Sequence, residues 1–168
     1  MSDIEIRHAR RSDVPHIRRV ARRGWQEAYA DFLSETVIEA ELSTWYTSDA
    51  VEAAIRDETR PYFVATHDET VVGYSKAVAD TPIATLSTLY VSPDCWSGGV
   101  GTRLLDAATT ELESRGATAL ELTVFAENGA AIGFYESNGF ERVGEQISEL
   151  EAGSAPEYVY RKSINRPK

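Results

Sequence analysis

Long apolar runs are missing from this 168-residue chain. None approaches the roughly 18 residues that span a bilayer, so no membrane partner is expected. Cysteine occurs once, at Cys95, which excludes an internal disulfide framework and fits a reducing cytoplasm. Lysine is scarce: 14 arginines and 3 lysines make up the 17 cations, against 27 carboxylates, for a formal charge of −10. A surface for duplex nucleic acid needs clustered cations, so nucleic acid is not expected as a partner. The opening "MSDIEIRHARRSD" is charged throughout and has no apolar signal core, so secretion is not expected either. No cluster of His, Cys and carboxylate has metal-ligand spacing, and none of the three histidines is placed to serve Cys95 as a nucleophile's partner.

What is present is ordinary globular material, 42% hydrophobic and 26% charged. The length suits one α/β domain, taken here as residues 1–168. Few lysines, many carboxylates and abundant Ala and Thr are the composition expected of a halophile's cytoplasmic protein. Strand-like and helix-like segments alternate without repeats. "DIEIRHA" alternates as a first strand. "RSDVPHIRRVARRGWQEAYADF" has Ser12 or Asp13 as N-cap, Pro15 in the first turn, and Val14, Ile17, Val20, Ala21, Trp25 and Ala28 at helical spacing. "SETVIEAEL" opens on Ser34 and "SDAVEAAIRDE" on Ser48. A hairpin follows around His67-Asp68-Glu69, then the strand "ATLSTLYV". Val100, Leu104, Leu105, Ala108 and Leu112 make one helix face that Gly116 ends. The strand "ATALELTVF" and a short helix capped by Asn128 and closed by Gly139 come next. Two strands, "FERVGEQISEL" and "APEYVYRKSI", complete the chain.

From the end of the strand "ATLSTLYV" into the helix that Gly116 ends runs "WSGGVGTRLLD", residues 96–106. A P-loop needs Lys after its last glycine, and none follows Gly101. A dinucleotide fingerprint needs a third glycine where Leu104 stands. What remains is a strand, a glycine-rich turn and a helix whose free N–H groups and positive dipole end can hold an anion without lysine. A plain flexible connector is the alternative.

Further on, "NGAAIGFYESNGF" fits N-x-x-A-x-x-F-Y-E-x-x-G-F. With "LYVSPDCWSGGVGTRLLDAA", in this order and spacing, it resembles the GNAT superfamily of acyl-CoA-dependent N-acetyltransferases over about Leu86 to Phe140. "GWQEAY" is similar to the W-x-E-A-Y stretch of the family's first helix. The chain departs from the family's loop pattern: Trp96 stands at the usual Gln/Arg position and Gly98 at a position often basic. Backbone binding should survive, with less side-chain help to the phosphates and a modest affinity.

The resemblance implies an α/β (α+β) fold, with a mixed, mostly antiparallel twisted sheet and helices on both faces. It implies acetyl-CoA as co-substrate, no metal, and transfer of acetyl to a primary amine of a small molecule or of a peptide or protein N-terminus. A homodimer is a further expectation. Ser97, Gly98, Gly99, Val100, Gly101 and Thr102 would hold the pyrophosphate. Leu89, Tyr90 and Val91 would pair with the pantetheine arm and turn an N–H to the thioester oxygen. Asn128 would cap its helix and bond the pantetheine amides, and Ala131 would leave room for the cofactor. Tyr135, one turn on, would protonate the leaving thiolate. For the general base, Glu27 is the first choice and Glu121 the second; Trp25 and Tyr29 are candidates for the acceptor pocket. The rival is a non-catalytic acyl-CoA-binding regulatory module on the same fold.

Overall fold

A computed structural model describes residues 4–92, 95 and 99–164. Among these, seven strands form one sheet in the order β1-β2-β3-β4-β5-β7-β6. The strands are β1 (Ile4–His8), β2 (Tyr62–His67), β3 (Thr70–Val78), β4 (Ile83–Val91), β5 (Ala119–Phe125), β6 (Glu141–Leu150) and β7 (Gly153–Ser163). The helices are α1 (Val14–Tyr29), α2 (Glu35–Trp45), α3 (Ser48–Arg56), α4 (Val100–Ser114) and α5 (Gly129–Ser137). All neighbouring strands run antiparallel except β4 and β5, which are parallel because α4 carries the chain back between them. The expected fold class is the observed one.

Alternation along β2 divides the core. Tyr62 and Val64 pack with Val14, Ile17 and Val20 of α1, while Phe63 and Ala65 pack with Val100 and Leu104 of α4. The stripe Val14, Ile17, Val20, Ala21 and Gly24 therefore faces one side of the sheet. The stripe Val100, Leu104, Leu105, Ala108 and Leu112 faces the other. Leu104 and Leu112 are fully buried, which is worth about 1.5–3 kcal/mol for each side chain.

Helix α3 begins at Ser48 as expected, and Thr47 caps it, its hydroxyl accepting the Ala50 N–H. Asp13 stands at the N-cap of α1 as expected, but its side chain makes no cap hydrogen bond there. Its carboxylate instead accepts from the Arg7 guanidinium at 2.8 and 2.9 Å and from the Arg10 N–H at 2.8 Å, tying β1 to the start of the helix. The hairpin turns as expected, with Asp68 and Glu69 both at positive φ, the two-residue geometry that suits strand twist.

One irregularity positions everything that follows. The β4–β5 ladder has three rungs, Ile83 to Ala119, Ala84 to Leu120 and Thr85 to Glu121, and then stops. Both strands run on past it.

Candidate active site

Where the ladder stops, a cleft of about 250 Å³ opens between residues 86–90 of β4 and residues 123–125 of β5. Next to it α4 begins, a Cβ on Gly101 falling 3.8 Å from Leu89, which lines the cleft. Gly99 precedes the helix at φ 75°, and a side chain built there would meet nothing within 4 Å. The first turn of α4 holds no carboxylate and no side-chain cap. Its first backbone bond runs from the Arg103 N–H to the Gly99 carbonyl, so the N–H groups of Val100, Gly101 and Thr102 precede the helical ladder. A Cβ on Gly101 would lie 3.2 Å from the Phe134 ring. Glycine there lets the start of α4 abut α5. The bare amides, open space at Gly99 and unshared positive dipole end fit a phosphate group.

The opposite wall is α5, and its sequence explains its shape. The Asn128 side chain accepts the Ala131 N–H at 3.3 Å and caps the helix. The helix ends at Gly139, φ 92°. There the Gly139 N–H donates to the Glu136 carbonyl and the Phe140 N–H to the Tyr135 carbonyl. This double closure is a Schellman motif, and its usual apolar contact is present, with the Phe140 and Tyr135 rings 5.6 Å apart. "YESNGF" is thus a device that locks Tyr135. Tyr135 is buried and lines the cleft, and its hydroxyl makes no hydrogen bond among the described residues. Burial pushes the phenol well above its ordinary value of 10.0, so the proton stays on oxygen at neutral pH.

The far half of the cleft is aromatic and acidic. Trp25, Tyr29 and Phe125 line it, the Tyr29 ring set edge-on to Trp25 at 4.8 Å and to Phe125 at 4.9 Å. Gly24 admits the Tyr90 ring against α1; a Cβ there would sit 2.7–2.8 Å from three ring atoms. Glu41 of α2 and Glu157 of β7 also line this half, 6% and 8% exposed. Sequence reasoning missed both. The signal was available: Ile38, Glu41 and Leu42 form the buried face of α2, and Glu157 shares a strand face with buried Ala155. Each is a carboxylate where the pattern calls for an apolar side chain.

The structure brings Leu89, Tyr90, Asn128, Ala131 and Tyr135 together around the cleft. Val91 is buried in the core beside Val100 and Leu104. Val100 is buried too, leaving its backbone as its contribution, and Thr102 is exposed. Ser97 and Gly98 lie outside the described residues. Glu27 does not reach the cleft: it is exposed and paired with Arg23 at 3.0 Å on the outer face of α1. Glu121 is held by Arg161 at 2.6 Å, also away from the cleft. A second depression, near Arg18 and Arg22, has those cations engaged by the Tyr46 carbonyl and Glu39. Among the described residues no group of three or more His, Cys, Asp or Glu could hold a metal ion.

Comparison with known proteins places this geometry in a class. Residues 22–140 match the acetyltransferase (GNAT) family, and the chain belongs to that family. It is an N-acetyltransferase by family, with acetyl-CoA as co-substrate. Among relatives, the chain is 28% identical over 141 residues to a spermidine N(1)-acetyltransferase of Thermoplasma acidophilum, covering 82% of this chain and 88% of the other. It is 49% identical over 57 residues to the ribosomal protein bS18-alanine N-acetyltransferase of Salmonella typhimurium, covering 34% and 38%. The fold superposes on the PaiA N-acetyltransferase of T. acidophilum in complex with coenzyme A, with TM-score 0.86, 24% identity and 96% and 99% coverage.

Proposed function

We propose that the chain, as one domain over residues 1–168, transfers the acetyl group of acetyl-CoA to a primary amine. The observation that carries this reading is the break in the β4–β5 ladder. It leaves the edge of β4 and the locked Tyr135 around one cleft, and the start of α4 lies next to it, a Cβ on Gly101 falling 3.8 Å from the cleft residue Leu89. Bound acetyl-CoA supplies an activated thioester carbonyl. The amides from Gly99 to Thr102 hold its pyrophosphate, with Ser97 and Gly98 as the rest of that loop. The Asn128 amide and the β4 backbone, residues 89–91, hold the pantetheine arm beside Ala131. An N–H of Leu89 or Tyr90 polarises the thioester oxygen. As the C–N bond forms and the C–S bond breaks, Tyr135 gives its proton to sulfur, and the proton lost by the attacking nitrogen returns through solvent to restore the phenol.

Incubation with acetyl-CoA and a panel of amines tests this. Thiol should be released in proportion to an acetylated amine. Binding of acetyl-CoA without release above the amine-free rate would make the chain a non-catalytic acyl-CoA-binding module. The single cysteine supports a cytoplasmic setting, and the acidic composition supports adaptation to salt. The thermal midpoint should then rise between dilute buffer and molar KCl, because counter-ions screen the self-repulsion of the −10 charge.

A further inference from the structure

Glu41 and Glu157 are more than nine-tenths buried, and neither has a cationic partner among the described residues. Each has one oxygen engaged. The Glu151 N–H donates to Glu41 Oε2 at 2.6 Å, and Gln146 Nε2 donates to Glu157 Oε1 at 2.7 Å. The other oxygen of each has no protein partner among the described residues, and both side chains line the same cleft. Burying a carboxylate without a counter-charge is unfavourable. Two such groups facing one cavity, with a wall of aromatic rings between α1 and β5, call for a cation from outside the chain.

The register shows that the two acids are not one spot. Glu157 stands opposite both Phe125 and Gln146, where β5 ends beside Tyr135 and Asn128. Glu41 is bound to Glu151 at the tip of the β6–β7 hairpin, whose last rung pairs Leu150 with Gly153. Roughly 13 Å of extended strand separates the two rungs. Ser148 and Leu150 line the passage along that hairpin. The acceptor half therefore carries one acid at the end of β5 and another at the tip of the β6–β7 hairpin, with apolar and aromatic residues also lining it.

We propose that Glu41 and Glu157 are the two anionic ends of an acceptor channel that selects a linear alkyl amine with more than one ammonium group. Glu157 meets the ammonium nearer the reacting end, and Glu41 holds a distal one. The apolar stretch between takes the alkyl chain, and the net acidic charge draws such polycations in. This rests on the acetyl-transfer reading and names the class of amine for the same site.

Steady-state kinetics with spermidine, which keeps two ammonium groups beyond its reacting amine, and butylamine, which keeps none, provide the test. An alanine-initiated peptide serves as a third acceptor. For the wild type, kcat/KM for spermidine should exceed that for butylamine by about 10- to 100-fold or more, the value of at least one charge-assisted bond. Glu41→Gln and Glu157→Gln keep an oxygen for the Glu151 and Gln146 donors and should each cut that ratio by about tenfold. Calorimetric titration with spermidine, without acetyl-CoA, reads the channel independently of turnover. Spermidine binding that weakens in the two variants supports the channel even if no amine releases thiol, an outcome that would remove only the transfer reading. A wild type that acetylates butylamine or the peptide as well as spermidine overturns the channel and leaves transfer standing. Folded variants that retain the full spermidine preference also overturn it.

Discussion

The two walls of the cleft are built in different ways. The side proposed for the donor comes from consecutive chain: the end of β4, the start of α4 next to it, β5 and α5 follow one another from residue 83 to residue 137. Its contacts are backbone amides, helix ends and one locked tyrosine. The acceptor wall is assembled from α1, α2, β5 and the β6–β7 hairpin, with its key residues running from Gly24 to Glu157. Its contacts are side chains from elements far apart in sequence. A wall of backbone groups demands particular residues at particular spacings, and so leaves motifs. A wall of side chains demands only that each point inward, and several arrangements meet that demand. Variants that act on one wall and spare the other should separate donor effects from acceptor effects.

The largest effect expected is on Tyr135. Tyr135→Phe retains the ring, its contact with Phe140 and the helix closure, and removes only the hydroxyl. Loss of a general acid should lower kcat by about 10²–10⁴-fold, with little change in acetyl-CoA affinity. Because burial raises the phenol above 10.0, deprotonation of Tyr135 should contribute no falling limb to the pH–rate profile below that value. Near-wild-type turnover in folded Tyr135→Phe protein would give the proton transfer to another group.

That residue also marks how far the sequence could be read. The Asn128 cap, the Gly139 stop and the buried stripe of α4 are local rules of spacing and conformation, so they were legible along with the element order. The family pattern then singled out Tyr135. The break in the β4–β5 ladder was legible only through the family resemblance, since no residue in "LSTLYV" demands it. The acceptor half went unread for a different reason. Glu41 and Glu157 look like two among 27 carboxylates until α2 and β7 are folded against the sheet. Glu27 is suggested by the resemblance because the first helix meets the central strand at the acceptor pocket, but its neighbours are the ones that reach the cleft: Gly24 makes room for Tyr90, and Trp25 and Tyr29 form the wall.

Gly99→Asp acts on the donor wall alone. Aspartate tolerates the left-handed conformation better than most residues, and the space around Gly99 is open, so folding should be nearly unaffected. The added charge stands at the entrance to the α4 amides. Its repulsion of a pyrophosphate within a few ångströms, on the order of 1–4 kcal/mol, should weaken acetyl-CoA binding about tenfold or more. Titration of acetyl-CoA, alongside a melting curve, reads this directly. Unchanged affinity in the folded variant would move the phosphate site away from α4.

Gly24→Ala crosses from one wall to the other. The methyl group would overlap the Tyr90 ring at 2.7 Å and force it from its seat on α1 into the cleft. Overpacking of about 1–3 kcal/mol should outweigh the roughly 1 kcal/mol that alanine gains over glycine in a helix. A modest fall in the thermal midpoint should accompany a rise in acceptor KM larger than any rise in acetyl-CoA KM. Equal changes in both would mean that Tyr90 serves the two walls alike.

The smallest effect should come from Glu27→Gln, and its smallness is informative. Glu27 is exposed, on the face of α1 turned from the cleft, and it pairs with the Arg23 guanidinium at 3.0 Å. Pairs of this kind are worth about 0.3–0.5 kcal/mol, and an acid placed C-terminal to its base is the weaker order. The melting temperature should move by no more than that energy allows. The amide cannot accept a proton as a carboxylate does, so a base at this position would show as a loss of kcat and of its rising limb with pH. Both should stay at wild-type values. A fall in kcat of tenfold or more, with KM for acetyl-CoA unchanged, would mean that α1 turns or shifts on binding to bring Glu27 into the cleft. The acceptor wall would then be assembled by substrate rather than preformed.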